Sequence, residues 1–216
     1  PMEGEMFDFQ AFAAYGEKGV LLLLSDSTNV ERPGYTPSER EVGTNLEQIM
    51  QRSTGKVLVS TFSSSIPRIQ QVVDISERCG RRVVLSGRSM IRNGQVAAEL
   101  GYLHLPRNFM TESDRWHDLP LDQLTFLTTG SQGEPLSVLH RVALNDHKTI
   151  KIDPGDTVIL SSKFIPGNEK TISNLINHLY RRGAEVHYEK VSEIHVSGHA
   201  SQEELKTMLQ LTRPRY

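Results

Sequence analysis

The chain has 216 residues, 24 basic and 26 acidic side chains and a formal charge of -2. That length suits one large domain or two small ones and should bury ~70% of the unfolded surface. The even charge excludes a global basic field for nucleic acid and leaves only local patches; the single cysteine, Cys79, excludes an internal disulfide and fits a reducing compartment; and no apolar run approaches the ~18 residues of a membrane span, so no membrane partner is expected.

In chain order, Val20 to Leu24 reads as a buried-type strand. "YTPSEREVGTNLEQIMQR" then opens a helix, with Thr36 as N-cap, Pro37 at N1 and Glu39 at N3, and Gly55 ends it. A strand over Lys56 to Phe62 follows. Ser64 or Ser65 caps the next helix, which runs to Gly80. The strand Arg82 to Leu85 leads into the helix "SMIRNGQVAAEL", stopped by Gly101. Gly101 to Asp122 breaks the rhythm and reads as a long surface excursion. Then come a strand over Leu124 to Thr128, a helix from Pro135 to about Asn145, a short strand or edge piece over Ile150 to Pro154 and a turn at Gly155-Asp156. The strand Thr157 to Ser161, the helix Asn168 to Arg182, the strand Glu185 to Tyr188 and the helix Gln202 to Leu211 complete the pattern.

Strand and helix in alternation predict an α/β fold, a mostly parallel sheet with helices on both faces. Right-handed crossovers then bring the strand-to-helix loops to one edge, where ligands of such folds bind. Those loops are "SDSTN", "STFSSS", "LSGRSM", "TTGSQGEP", "SSKFIPGNEK" and "VSGHAS". All are dense in Ser, Thr or Gly, beyond what helix caps require, which suits phosphate oxygens. Arg68, Arg88, Lys163 and Lys170 lie in or beside them and supply positive charge.

No GxxxxGK[ST], dinucleotide fingerprint, GxSxG elbow or CxxC pair is present. The scattered histidines read as surface or helix-face residues. Two candidates remain at strand ends, Asp26 in "SDSTN" and His199 in "IHVSGHASQEEL". A carboxylate at 26 could orient an imidazole as a protonated acid near neutral pH; a turn residue or cap partner is the plainer reading, and both stay open on the residues alone. Around His199, Ser201 and Glu204 form a capping box, while Gly198 and Ala200 leave room for a ligand at the ring, the main chain and the amides of the following helix.

Taken in order, "LLLLSDSTNVERPGYTPSE", "TTGSQGEP", "SSKFIPGNEK" and "IHVSGHASQEEL" resemble the ribonuclease J family, RNases of the metallo-β-lactamase superfamily that carry a β-CASP insertion. The likeness covers nearly the whole chain. It implies that Asp26 is the acid at the end of a lactamase strand and that His199 pairs with it as a general acid or transition-state stabiliser. It further implies that His195, Val196, Ser197, Gly198, His199, Ala200 and Ser201 hold substrate phosphate, including a 5′-monophosphate. By loop placement, Arg68, Arg88, Ser131, Gln132, Ser161, Ser162, Lys163 and Asn168 are expected to face RNA.

The family's metal ligands, in an HxHxDH run, a later His, a GDF Asp and an HGE His, are not in this sequence. The chain opens "PMEGEMFDF" and stops at "LTRPRY" in mid-pattern, so both ends read as cuts within a longer protein. The resemblance therefore implies lactamase segments at 1–30 and 189–216 around a β-CASP domain at 31–188. It implies two divalent ions, zinc or manganese, in the full-length enzyme, with none bound to this stretch and no hydrolysis by it alone. The parent protein is expected to be a cytoplasmic or plastid-stromal homo-oligomer that cuts single-stranded RNA as a 5′-to-3′ exonuclease and an endonuclease. The rivals are a catalytically silent RNA-binding module and a small-molecule phosphate enzyme with one closed pocket.

Overall fold

The computed structural model describes residues 7–111, 113–189, 191–192, 194, 196 and 198–216. In chain order the regular elements are α1 (Phe9–Lys18), α2 (Glu39–Arg52), β1 (Val57–Ser60), α3 (Ile66–Arg78), β2 (Arg82–Leu85), α4 (Arg88–Glu99), β3 (Met110–Thr111), β4 (Leu124–Thr128), α5 (Val138–Ala143), β5 (Thr157–Leu160), α6 (Glu169–Arg181), β6 (Glu185–His187) and α7 (Gln202–Thr212). They divide into two units. The smaller joins the residues up to Arg40 with Val196–Tyr216, and the larger is the stretch between.

The larger unit is built on a six-stranded sheet in the order β3-β2-β4-β1-β5-β6, with every pair parallel. Its central strands are apolar at nearly every position because both faces are covered. The chain moves one way through β1, β2 and β3 and the other way through β4, β5 and β6. The right-handed crossover rule therefore puts α3 and α4 over one face and α5 and α6 over the other. α3 shows how the sequence achieves this: Ile69, Val72, Val73 and Ser76 recur at helical spacing and are all buried. The core gathers around Phe126 of β4, whose ring meets Trp116 edge-on at a centroid distance of 4.9 Å.

Three expectations are corrected here. The Gly101–Asp122 stretch is no pure surface excursion: Met110–Thr111 adds an edge strand beside β2, and Trp116 plugs the core. Ile150 and Ile152 are buried as an irregular segment, not as a strand. α2 begins at Glu39, and Thr36 is no helix cap because its hydroxyl is engaged elsewhere.

The smaller unit pairs α1 with α7. The sequence reading passed over α1, although its start is well marked. Asp8 accepts from the Ala11 amide at 2.9 Å, and the Phe7 and Phe12 rings stack at 4.7 Å, one before the cap and one on N4. That is a hydrophobic staple. A Cβ on Gly16 would lie 2.0 Å from the Leu211 carbonyl oxygen, so glycine is what lets the two helices touch. The expected strand at Val20–Leu24 is not a regular strand. It does make parallel-type bonds, with Leu23 donating to Tyr216 and the Arg215 and Tyr216 amides donating to Val20 and Leu21.

Register between β1 and β5 is fixed at their amino ends by a buried ion pair. Lys56 Nζ lies 2.5 Å from Asp156 Oδ2, both side chains 3% exposed, and Asp156 also accepts from the Lys56 and Asp153 amides. Lys56 Nζ also bonds the exposed Asp153 at 2.7 Å, so loss of Asp156 leaves the buried ammonium with only a surface partner and leaves two backbone amides without their acceptor. Asp156→Ala is expected to lower stability by about 3 kcal/mol, read as a drop in the urea midpoint of the circular dichroism signal; an unchanged midpoint would show that the bond from Lys56 to the exposed Asp153 is sufficient by itself.

Candidate functional site

The acid comes from the turn that follows the Val20–Leu24 segment. Asp26 Oδ1 accepts from the Thr28 hydroxyl at 2.6 Å and from the Thr28 amide at 2.9 Å, an Asx-type turn that fixes the carboxylate. Its other oxygen, Oδ2, lies 2.5 Å from Nδ1 of His199, 173 residues further along the chain. The Thr28 hydroxyl, then the His199 ring, then the Thr28 amide hold the Asp26 carboxyl far below the usual carboxylate range. An ionised carboxylate only accepts, so His199 Nδ1 carries the hydrogen. Nε2 is then the nitrogen that would act on a ligand. Both side chains are about half exposed, so solvent and substrate can reach the pair.

The backbone of His199 is held as firmly as its ring. Asn29, buried at 3% exposure, donates from Nδ2 to the His199 carbonyl at 3.0 Å. Thr36 Oγ1 lies 3.3 Å from the same oxygen, but its one hydrogen goes to Glu204 Oε2 at 2.6 Å. Glu204 also accepts from the Ser201 amide at 2.7 Å, one arm of the expected capping box. Thr36 thereby ties the 32–36 loop to the start of α7. The Gln202 and Glu203 amides donate to Arg32 and Gly34. The first amides of α7 are thus taken by protein acceptors, and the expected anion site at that helix terminus is not what the structure builds. Ser201 is buried, with its amide on Glu204 and its hydroxyl 3.1 Å from Thr36. Sequence reasoning missed Thr28, Asn29 and Thr36. The signal for Thr28 was there, a hydroxyl two residues after an aspartate.

Of the other residues expected at phosphate, Gly198 and His199 are exposed, Ala200 is half-buried and Val196 is buried. His195 and Ser197 lie outside the described residues. Among the eight expected to face RNA, Arg68, Ser131, Gln132, Ser161 and Ser162 are buried and are corrected to structural roles. The cause is the parallel sheet, whose strand ends leave loop carbonyls that need donors. Arg68 Nη1 donates to Ser161 Oγ at 3.2 Å and to the Ile194 carbonyl at 3.1 Å, and Ser161 donates to that carbonyl at 2.7 Å. Gln132 Nε2 donates to Ser162 Oγ and to the Lys163 carbonyl, while its Oε1 accepts from the Ile165 amide. Arg88 is exposed, and Lys163 and Asn168 are half-buried, Asn168 as the cap residue of α6. Four of the six hydroxyl-rich loops leave the carboxyl edge of the sheet or lead on from it; "SDSTN" and "VSGHAS" belong to the smaller unit.

Comparison with known proteins gives the class. Residues 54–179 match the ribonuclease J β-CASP domain, and residues 183–216 match the Zn-dependent metallo-hydrolase RNA specificity domain. The chain belongs to the ribonuclease J β-CASP family. Among individual proteins, it is 50% identical to ribonuclease J of Thermus thermophilus, 47% to that of Synechocystis and 44% to that of Helicobacter pylori, in each case over its whole length. It spans 38%, 34% and 31% of those proteins. The description of the domain matched at 183–216 is that of a Zn-dependent hydrolase. Among the described residues, no three His, Cys, Asp or Glu side chains gather as ligands for a metal ion, and Asp26 and His199 bond to each other instead. No helix among the described residues is long and apolar enough to cross a membrane.

Two outcomes test this geometry. Because the folded pKa of Asp26 is depressed, its contribution to holding the loop is complete above the unfolded value and is lost only as pH falls through the lower folded one. At pH 3.8, where an ordinary aspartate is half protonated, carbon-detected NMR should find Asp26 ionised; a half-protonated signal would contradict the hydrogen-bond arrangement. Asn29→Ala should release the His199 carbonyl and broaden or shift the His199 Nδ1 proton resonance; a resonance identical to wild type would show that the carbonyl bond does not position the ring.

Proposed function

We propose that this chain forms the RNA-facing part of a metal-dependent ribonuclease, in which Asp26 holds His199 so that Nε2 assists the leaving oxygen of a phosphodiester or stabilises the charge that develops there. The observation that carries this is the contact between the ionised Asp26 carboxylate and His199 Nδ1, which holds Nδ1–H toward Asp26 and makes Nε2 the nitrogen we assign to the reaction; with the ring in its imidazolium form, Nε2–H gives its proton to the leaving oxygen. Gly198 and Ala200 keep the approach to the ring open, and they join His195, Ser197 and His199 as the residues we assign to substrate phosphate, a 5′-monophosphate included.

The whole protein is a single-strand-specific RNase in this reading, combining 5′-to-3′ exonuclease and endonuclease action as a homo-oligomer in the cytoplasm or plastid stroma. Two zinc or manganese ions, held by residues outside those described, would supply activation of the attacking water in this reading. The described residues of this chain form no ligand set for such ions. A small-molecule phosphate enzyme calls for an enclosed pocket, whereas the concavity of about 870 Å³ along α4 is an open groove.

In the complete protein, His199→Ala should cut RNA turnover about a hundredfold, the ordinary scale for a positioned acid or base. Single-turnover cleavage of a labelled RNA reads this directly, and wild-type turnover would remove His199 from the mechanism.

A further inference from the structure

α4 carries two guanidinium groups one helical turn apart, Arg88 in its first position and Arg92 four residues on. Both are exposed, and neither makes a hydrogen bond or ion pair with the described residues. Of the other arginines in the larger unit, Arg81 donates to three backbone carbonyls, Arg78 grips Glu47 and Arg68 holds Ile194, while Arg52, Arg82, Arg107 and Arg181 share with Arg88 and Arg92 the lack of a side-chain partner among the described residues. Arg88 and Arg92 instead line an open groove of about 870 Å³ that runs along α4 past Val96 and Leu100 to Tyr102.

Tyr102 is 74% exposed, yet its backbone is fixed. Gly101 adopts φ 76°, the Tyr102 amide donates to Ala97 at 2.8 Å, and Leu103 anchors the turn in the core. A large aromatic face is thus held in water beside two unpaired cations. A second groove, of about 360 Å³, shares Arg88 and Ser89 with the first and continues past the exposed Leu136 to Arg141 and His147. Among the described residues no Asp or Glu lines either groove. In a chain with a net charge of -2, α4 thus presents two like charges with an aromatic platform at one end of the groove, while Arg141 of the second groove is already paired with Asp146 at 3.7 Å.

We propose that this double groove binds single-stranded RNA, with Arg88 and Arg92 on successive backbone phosphates and one base stacked on Tyr102. The assignment rests on the RNA reading above and adds a binding subsite on α4 to it. The chemistry favours a nucleic acid over an acidic peptide. Guanidinium groups serve either ligand, but an exposed, backbone-fixed phenol ring beside them suits a flat base, and stacking on it is indifferent to sequence.

The test is filter binding of the full chain to a labelled 5′-monophosphorylated oligouridylate over a range of salt. Circular dichroism first checks that the variants keep the wild-type fold, as their surface positions lead one to expect. Arg88→Gln with Arg92→Gln should weaken binding and flatten the dependence of log K on log salt by about 1.4, roughly 0.7 for each lost single-strand phosphate contact. Tyr102→Ala should weaken binding about tenfold, and Tyr102→Phe should keep wild-type affinity. If wild type binds RNA and these variants match it in affinity and slope, the groove is off the RNA path and the proposal fails, with the ribonuclease reading intact. If an oligoglutamate peptide displaces the RNA and Tyr102→Ala is silent, the groove takes an acidic protein segment and the proposal fails. If the wild-type chain binds no RNA at any salt, the RNA reading of this chain falls together with the groove.

Discussion

A carboxylate that can only accept is the constraint from which the site follows. With Asp26 ionised, both of its oxygens need donors, and the fold delivers them from opposite directions: Thr28 from its own turn and His199 from the far end of the sequence. That settles which imidazole nitrogen carries hydrogen without appeal to the reaction. It also explains why the surrounding contacts are so local. Asn29 and Thr36, close to Asp26 in sequence, meet the His199 backbone and the start of α7, so one short segment orients ring, carbonyl and helix together.

The larger unit answers to a different rule. An all-parallel sheet sends its loops to one edge, and the edge nearest the core is dry. Serines and threonines there are exposed in a sequence pattern and buried in the molecule. Ser60, Thr128 and Ser131 have buried hydroxyls with no partner among the described residues, while Arg68 and Gln132 bond loop carbonyls. At this rim Arg88, in the first turn of α4, and Arg92, one turn further on, do reach solvent.

The alternation of strands and helices was legible because fully buried parallel strands are short, apolar and separated by amphipathic helices. The pairing of Asp26 with His199 was legible only through resemblance, since nothing local to either residue specifies a partner so distant in the chain. What misled was polarity taken as exposure: Ser161 and Ser162 look like ligands in a string and act as mortar in the fold. What was overlooked was α1, whose aromatic residues gave no tidy period, though Asp8 and the flanking Phe7 and Phe12 marked its start. The excursion around Trp116 failed as a prediction for a related reason. A core plug from an irregular segment leaves no periodic trace.

Trp116 has a use of its own. It is the chain's single tryptophan, and its ring sits against Phe126 within the sheet's core. Indole emission therefore originates wholly in the larger unit, while the unit that carries Asp26 and His199 is dark at those wavelengths. Melting of the sheet can be followed optically without interference from the histidine loop, so the chain carries a built-in spectroscopic label for one of its two halves.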